Sequence, residues 1–168
     1  MSSGEERTMT EDGRYLIVSG RRWRATDPGI PAALRQELVD ELMDARRLVR
    51  RDPETARPRV QDAKVALGER GDPWWEPTTG GQRVRLAAAI RVLLRHRRPD
   101  ATICPSDAAR VVGGESWRDL VDAAREVAAE LAQQGDIVVR QHGADVDVAT
   151  AAGPVRLARG PGWGDAAP

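Results

Sequence analysis

One cysteine, Cys104, stands among the 168 residues, so no disulfide can form within the chain and its stability has to come from packing. Aromatic residues are scarce, which leaves Leu, Ile, Val and Ala to fill the interior. The longest apolar run, Leu86 to Ile90, is far short of the roughly 20 residues a membrane helix needs. The opening MSSGEERTMTEDG is polar and acidic where a secretory leader would be basic and then apolar, and a cytoplasmic location is the expectation. Net charge is zero, with 26 basic and 26 acidic residues. Lys64 is the single lysine, and so many arginines beside Ala, Gly, Pro and Asp match what GC-rich coding produces. Their number alone does not indicate nucleic acid. Neither side of Gly80 is a polycation, so any electrostatic argument has to be local.

What is present reads as two small units. Residues 1–12 look like a disordered tail. Tyr15 to Val18, the pair Ser19-Gly20, and Arg21 to Arg24 predict a hairpin with a two-residue turn, Leu16 opposite Trp23 and Ile17 opposite Arg22. From Ala32, the positions Leu34, Leu38, Leu42, Ala45 and Val49 recur at helical spacing and predict a helix ending near Arg51. A second, shorter helix follows with Ala63 and Leu67 inward, Gly68 as its stop, and Pro58 expected in its first turn. Together these make a hairpin plus helical-hairpin unit over 13–75. Gly71 to Gly81 reads as a linker that Trp74 and Trp75 pin to one unit, with 76–82 as the boundary segment.

The second unit, 83–160, has the order helix, short helix, long helix, strand pair. Leu86, Ile90, Leu93 and Leu94 share the inner face of its first helix, which Pro99 stops. Thr102-Ile103 suits a short strand, and Cys104-Pro105-Ser106-Asp107 opens a second helix that Gly113-Gly114 ends. Ser116 to Asp119 has the form of a capping box, and Trp117, Leu120, Val121, Ala124, Val127, Ala128 and Leu131 continue one apolar face to Gly135. Ile137 to Arg140 and Pro154 to Arg159 read as strands around a wing, with a brief strand expected at Val146 to Val148. This unit is expected to fold alone, with Trp117 a core anchor, and 161–168 is expected to be a second disordered tail.

TICPSDAARVVGG, SWRDLVDAAREVAAELAQQGDIVVRQHG and GPVRLARG resemble a family of small bacterial winged-helix domains of unknown function. GRRWRATDPGIP, LVDELMDARR and AKVALGERGDPWW resemble short uncharacterised actinobacterial proteins, some carrying a biopolymer-transport label. Nothing in the residues supports transport. Neither resemblance brings functional residues with it. The first implies a fold and, through the wider winged-helix superfamily, a nucleic-acid role by analogy.

A DNA-reading winged helix presents basic and amide side chains from its long helix. Here that helix carries Asp119, Asp122, Glu126 and Glu130 as an exposed stripe, with Arg118 and Arg125 placed to be neutralised by Asp122. The stripe is either a solvated face or a docking face for a basic protein. The basic residues lie elsewhere. Arg83 to Arg98 holds six arginines and no acid, and Arg91, Arg95 and Arg98 share one face. Arg46, Arg47, Arg50 and Arg51 form a second cluster. Arg21-Arg22-Trp23-Arg24 forms a third, able to track a phosphate backbone and stack on a base, against the simpler reading that Trp23 packs on Leu16. Gly114-Glu-Ser116-Trp-Arg118 lacks the closing Gly of a nucleophile elbow, so Ser116 reads as a helix cap. Cys104, His96 and His142 have no ligand-pair spacing for a metal.

The fold class expected is therefore mainly α with small β elements: an N-terminal β-hairpin plus helical hairpin, then a C-terminal winged helix. The function expected is a non-enzymatic binding module. Two partners stand nearly level: DNA or RNA backbone held by Arg91, Arg95, Arg98, Arg46, Arg47, Arg50 and Arg51, or a basic protein held by Asp119, Asp122, Glu126 and Glu130. A small enzyme or redox sensor is a distant third. No catalytic residue, metal, cofactor, small-molecule substrate or membrane partner is expected.

Overall fold

A computed structural model describes residues 6–164 of the chain. The Ser19-Gly20 pair turns the chain with both residues at positive φ, 51° and 76°, the geometry whose twist matches two antiparallel strands. Strands β2 (Tyr15–Val18) and β3 (Arg21–Arg24) pair with Leu16 opposite Trp23 and Ile17 opposite Arg22, the expected register. The expected tail supplies a third strand, β1 (Arg7–Met9), beside β2. The Thr10 hydroxyl donates to Asp12 and accepts from Tyr15 N, and this local closure aims β1 back along β2. Residues 1–5 of that expected tail lie outside the described residues.

Helix α1 (Ala32–Leu48) buries Leu34, Leu38, Leu42 and Ala45 on the predicted face. It also buries Glu41, whose carboxylate accepts two hydrogen bonds from Arg59 at 2.7 and 3.0 Å. Helix α2 (Pro53–Ala66) starts earlier than the sequence suggests, because Asp52 caps it by accepting from Thr55 N, with Pro53 at the first position. Pro58 consequently lies inside the helix and not in its first turn. Its ring is exposed, and the hydrogen bond it forfeits is the one to Glu54 at the solvated helix start. Gly68, at φ 79°, ends the helical hairpin as expected.

The expected linker is short in fact. Trp74 Nε1 donates to the Ala25 carbonyl at 3.0 Å and the Trp75 ring meets Tyr15 edge-on, which ties the segment to the first sheet. Helix α3 (Thr79–His96) then begins at once, with Thr78 accepting from Gly81 N. Helix α3 is the centre of the molecule, packed on α1 and α2 on one side and on the two later helices on the other. Helix α4 (Pro105–Gly113) opens as expected, Asp107 accepting from Cys104 N, and stops at Gly114 with φ 54°.

The long helix departs from expectation at its start. Gly114–Leu120 forms a 3-10 segment, and α5 proper runs Val121–Gln133. Ser116 makes no side-chain cap. Trp117 is partly buried against the core with Arg110 and Arg118 each 4.5 Å from its ring, so it is a half-solvated anchor, not a core residue. Strand β4 (Ile137–Gln141) lies between β5 (Ala144–Asp145) and β6 (Arg156–Arg159). The brief wing strand therefore falls at Ala144–Asp145, and Val148 turns inward to be buried instead. The short strand expected at Thr102-Ile103 is a single bridge from Ile103 to Leu157.

About half of the chain is helical, with two small antiparallel sheets, a mixed α/β arrangement. One buried cluster runs from Leu34, Leu38 and Leu67 through Leu86, Ile90 and Leu93 to Ile103, Val127, Ile137 and Leu157. Trp163 joins it, so the residues after Gly160 are held in place as far as Gly164, and the remainder of the expected second tail lies outside the described residues. No described helix is long and apolar enough to cross a membrane.

Candidate nucleic-acid interface

The arginines fall into two populations, and the division decides which face can bind an anion. Those of α3 and beyond are mostly engaged. Arg95, whose side chain is 15% exposed, donates to Asp62 at 2.6 Å and lies 5.7 Å from the Trp163 ring. Arg91 stands between Asp62 and Asp136, at 4.0 and 3.8 Å. Arg97 makes a two-pronged pair with Glu37 at 2.8 and 3.1 Å, which raises its pKa further above the usual guanidinium value. Arg98 alone of the expected trio is well exposed, at 86%, with Asp100 at 3.9 Å.

The acidic stripe is also where the sequence places it, with Asp119, Asp122, Glu126 and Glu130 all exposed. Its neutralising partner is different. Arg83 of α3 donates to Glu126 at 2.8 Å and to Glu130 at 2.5 Å. Arg125 turns away from Asp122 and donates to the carbonyls of Val148, Ala151 and Gly153, holding the wing loop, while Arg118 lies on Trp117. A cavity of about 400 Å³ beside this stripe is lined by Asp122, Arg125, Glu126, Ala129, Val148 and Ala149. A second, of about 700 Å³, lies between Asp27, Trp74 and Gly113 to Leu120. Neither is lined by Cys104, His96 or His142. No described group of three His, Cys, Asp or Glu is arranged to hold a metal.

The second population lies before residue 82. Arg46, Arg50 and Arg51 are exposed at the end of α1, and no described carboxylate lies within ion-pair distance of them; Arg47 beside them pairs with Asp44 at 2.5 Å. On α2, Arg57, Gln61 and Lys64 follow at i, i+4 and i+7 and so share one stripe, and Arg70 bonds to Gln61 at 2.7 Å. Lys64 has its pKa lowered, by burial first and then by the positive charge of Arg70; Glu69 pulls the other way, and Arg46 adds a smaller push down. Its ammonium lies 5.5 Å from the Trp23 ring, and the Arg21 guanidinium lies 4.6 Å from the same ring. On the other side of the sheet, Arg22 covers Tyr15 at 4.3 Å, and Arg14 and Arg24 flank Trp75.

Trp23 is thus not packed away. It is 43% exposed although Leu16 stands opposite it, and β3, which bears it, is an edge strand with no further strand beside it. The sequence reading missed Lys64 and Arg57. The available signal was their helical spacing, but α2 had no settled start from which to project it.

Residues 82–160 match a family described as a protein of unknown function (DUF3253), and the chain carries that domain there. No curated protein matches the chain. The cluster of unpaired cations around Trp23, Lys64 and Arg46 lies wholly outside the matched residues.

Proposed function

We propose that this protein is a non-enzymatic nucleic-acid-binding module whose phosphate-binding face is formed by Arg46, Arg50, Arg51, Arg57, Lys64 and the β2–β3 arginines. The observation that carries the reading is the division of the cations. Arg91 and Arg95 would each have to surrender a carboxylate to take a phosphate, whereas the N-terminal cations have no such partner to lose. Burial is the first cause that lowers the pKa of Lys64, and the nearby positive charges of Arg70 and Arg46 add to it, an arrangement that an arriving anion would offset. Residues 83–160 are best read as a winged helix, supported by the order α3, Ile103 bridge, α4, α5, β4 to β6. Its long helix exposes Asp122, Glu126 and Glu130, with Asp119 in the 3-10 segment before it, so binding is directed to the phosphate backbone and is weakly selective for sequence.

The test is a fluorescence-anisotropy titration of a labelled single strand at several salt concentrations. Changing Arg46, Arg50 and Lys64 together to Gln should lower the salt slope by roughly 2, at about 0.7 per lost contact with a single strand. Asp122→Ala and Glu126→Ala should leave binding intact or tighten it. If Arg91, Arg95 and Arg98 changed to Gln flatten the slope and the N-terminal triple does not, the face belongs to α3. Absence of binding even at low salt removes the reading, and docking of a basic protein on Asp119, Asp122, Glu126 and Glu130 takes its place.

A further inference from the structure

The phosphate-binding face carries one feature that phosphates alone do not require, an exposed indole set among its cations. We propose that the face takes single-stranded nucleic acid, with a base stacked on Trp23 and the flanking phosphates held by Arg21 and Lys64. This inference rests on the backbone-binding reading above and adds to it the class of strand.

Trp23 is suited to the task for three reasons. It is the most exposed of the large aromatic side chains on the first sheet, at 43%, whereas Tyr15 is covered by Arg22 and closed at its edge by Trp75. The strand that bears it is anchored on both sides, by the β2 ladder and by Arg24, which donates to the Gly71 carbonyl at 2.7 Å. The backbone that carries the ring is therefore held in place before a ligand arrives, which limits the ordering cost of binding to the side chain. Of the two cations beside the ring, Arg21 is exposed at 4.6 Å and Lys64 is half-buried at 5.5 Å. An exposed cation–π contact is weaker than a base stacked on an indole, and either cation, once displaced from the ring, meets the phosphate that the base brings with it.

A duplex fits this face less well. Its bases are already stacked on each other, so it offers phosphates to Arg21 and Lys64 and nothing to Trp23. Arg21 and Arg22 are exposed on β3 and suit phosphates, and stacking on an indole tolerates any base, so the preference expected is for a single strand and not for a sequence. Ribose and deoxyribose strands should bind alike, because stacking and phosphate pairing engage features that the two share.

The experiment compares four probes on the full chain by anisotropy: short oligo(dT), oligo(U) of equal length, an abasic strand of equal length, and a duplex. Expected are similar affinities for oligo(dT) and oligo(U), and weaker binding of both the abasic strand and the duplex. Trp23→Ala should weaken oligo(dT) by roughly 5- to 150-fold, the equivalent of about 1–3 kcal/mol for one stacked base, and leave the abasic strand unchanged. Trp23→Phe should recover most of the loss, and an unchanged melting temperature confirms that the fold is intact. If the abasic strand binds as tightly as oligo(dT) and Trp23→Ala changes neither, stacking is refuted while backbone binding stands. Preference for the duplex overturns the inference in the same way. If no probe binds, both readings fall together.

Discussion

Replacing Arg85 with alanine is expected to destabilise the fold by about 3–5 kcal/mol, a large share of the 5–15 kcal/mol that a domain has in total. Arg85 is 8% exposed on α3, and its guanidinium reaches three groups at once: Asp27 at 2.9 Å, the Ala66 carbonyl at 3.0 Å and the Val111 carbonyl at 3.3 Å. Burial lowers its pKa below the usual guanidinium value, and the charge of Asp27 acts against that shift. Alanine would leave Asp27 buried with only Gly29 N donating to it, and two carbonyls without their donor. Lysine would not rescue the site, since one ammonium cannot match the fork that spans three acceptors. The double variant Arg85→Met with Asp27→Asn should recover part of the loss, because no charge is then left unpaired. Urea denaturation monitored by circular dichroism checks each value. A loss under about 1 kcal/mol for Arg85→Ala would show that water replaces the pair and that the site is solvated.

Leu38→Ala and Leu157→Ala are each expected to cost about 2–5 kcal/mol and to shift the same unfolding transition. Both side chains are fully buried, one on α1 and the other on β6, more than a hundred residues later in the chain. They belong to one contiguous cluster that passes through α3, so a cavity at either end weakens the packing of the same central helix. Calorimetry of the two variants should show one peak, displaced in both. Two peaks, with Leu38→Ala moving one and Leu157→Ala the other, would show that residues 13–75 and 83–160 unfold as separate units and that the second folds alone. The comparison also bears on the binding face. In a cooperative molecule, Lys64 and Trp23 are held by a core that includes the DUF3253 domain, although neither residue belongs to it.

Local chemistry was legible wherever a residue acts on its immediate neighbours. The Ser19-Gly20 turn dictates the register of Leu16 with Trp23, since a two-residue loop leaves one pairing. The spacing of Leu34, Leu38 and Leu42 places α1, and Cys104-Pro105 with Asp107 places the start of α4. Errors fell where two local signals competed. Pro58 suggested a later helix start than Asp52-Pro53 in fact provides, and the capping-box form at Ser116 hid the 3-10 segment Gly114–Leu120. The strand at Arg7–Met9 has no apolar alternation, being exposed throughout, so only its partner reveals it.

The candidate site was a different kind of problem. A helical projection puts Arg91, Arg95 and Arg98 on one face, and that placement says nothing about what stands opposite. Asp62 reaches Arg95 across 33 positions and Glu37 reaches Arg97 across 60, through the packing of α1 and α2 against α3. Which cations keep their charge available to a partner is therefore a property of helix packing, because an ion pair depends on separation in space. The sequence determined how many positive charges there are and on which elements they lie. The tertiary structure alone decided that those of α3 are mostly held by carboxylates and that those around Trp23 and Lys64 face solvent.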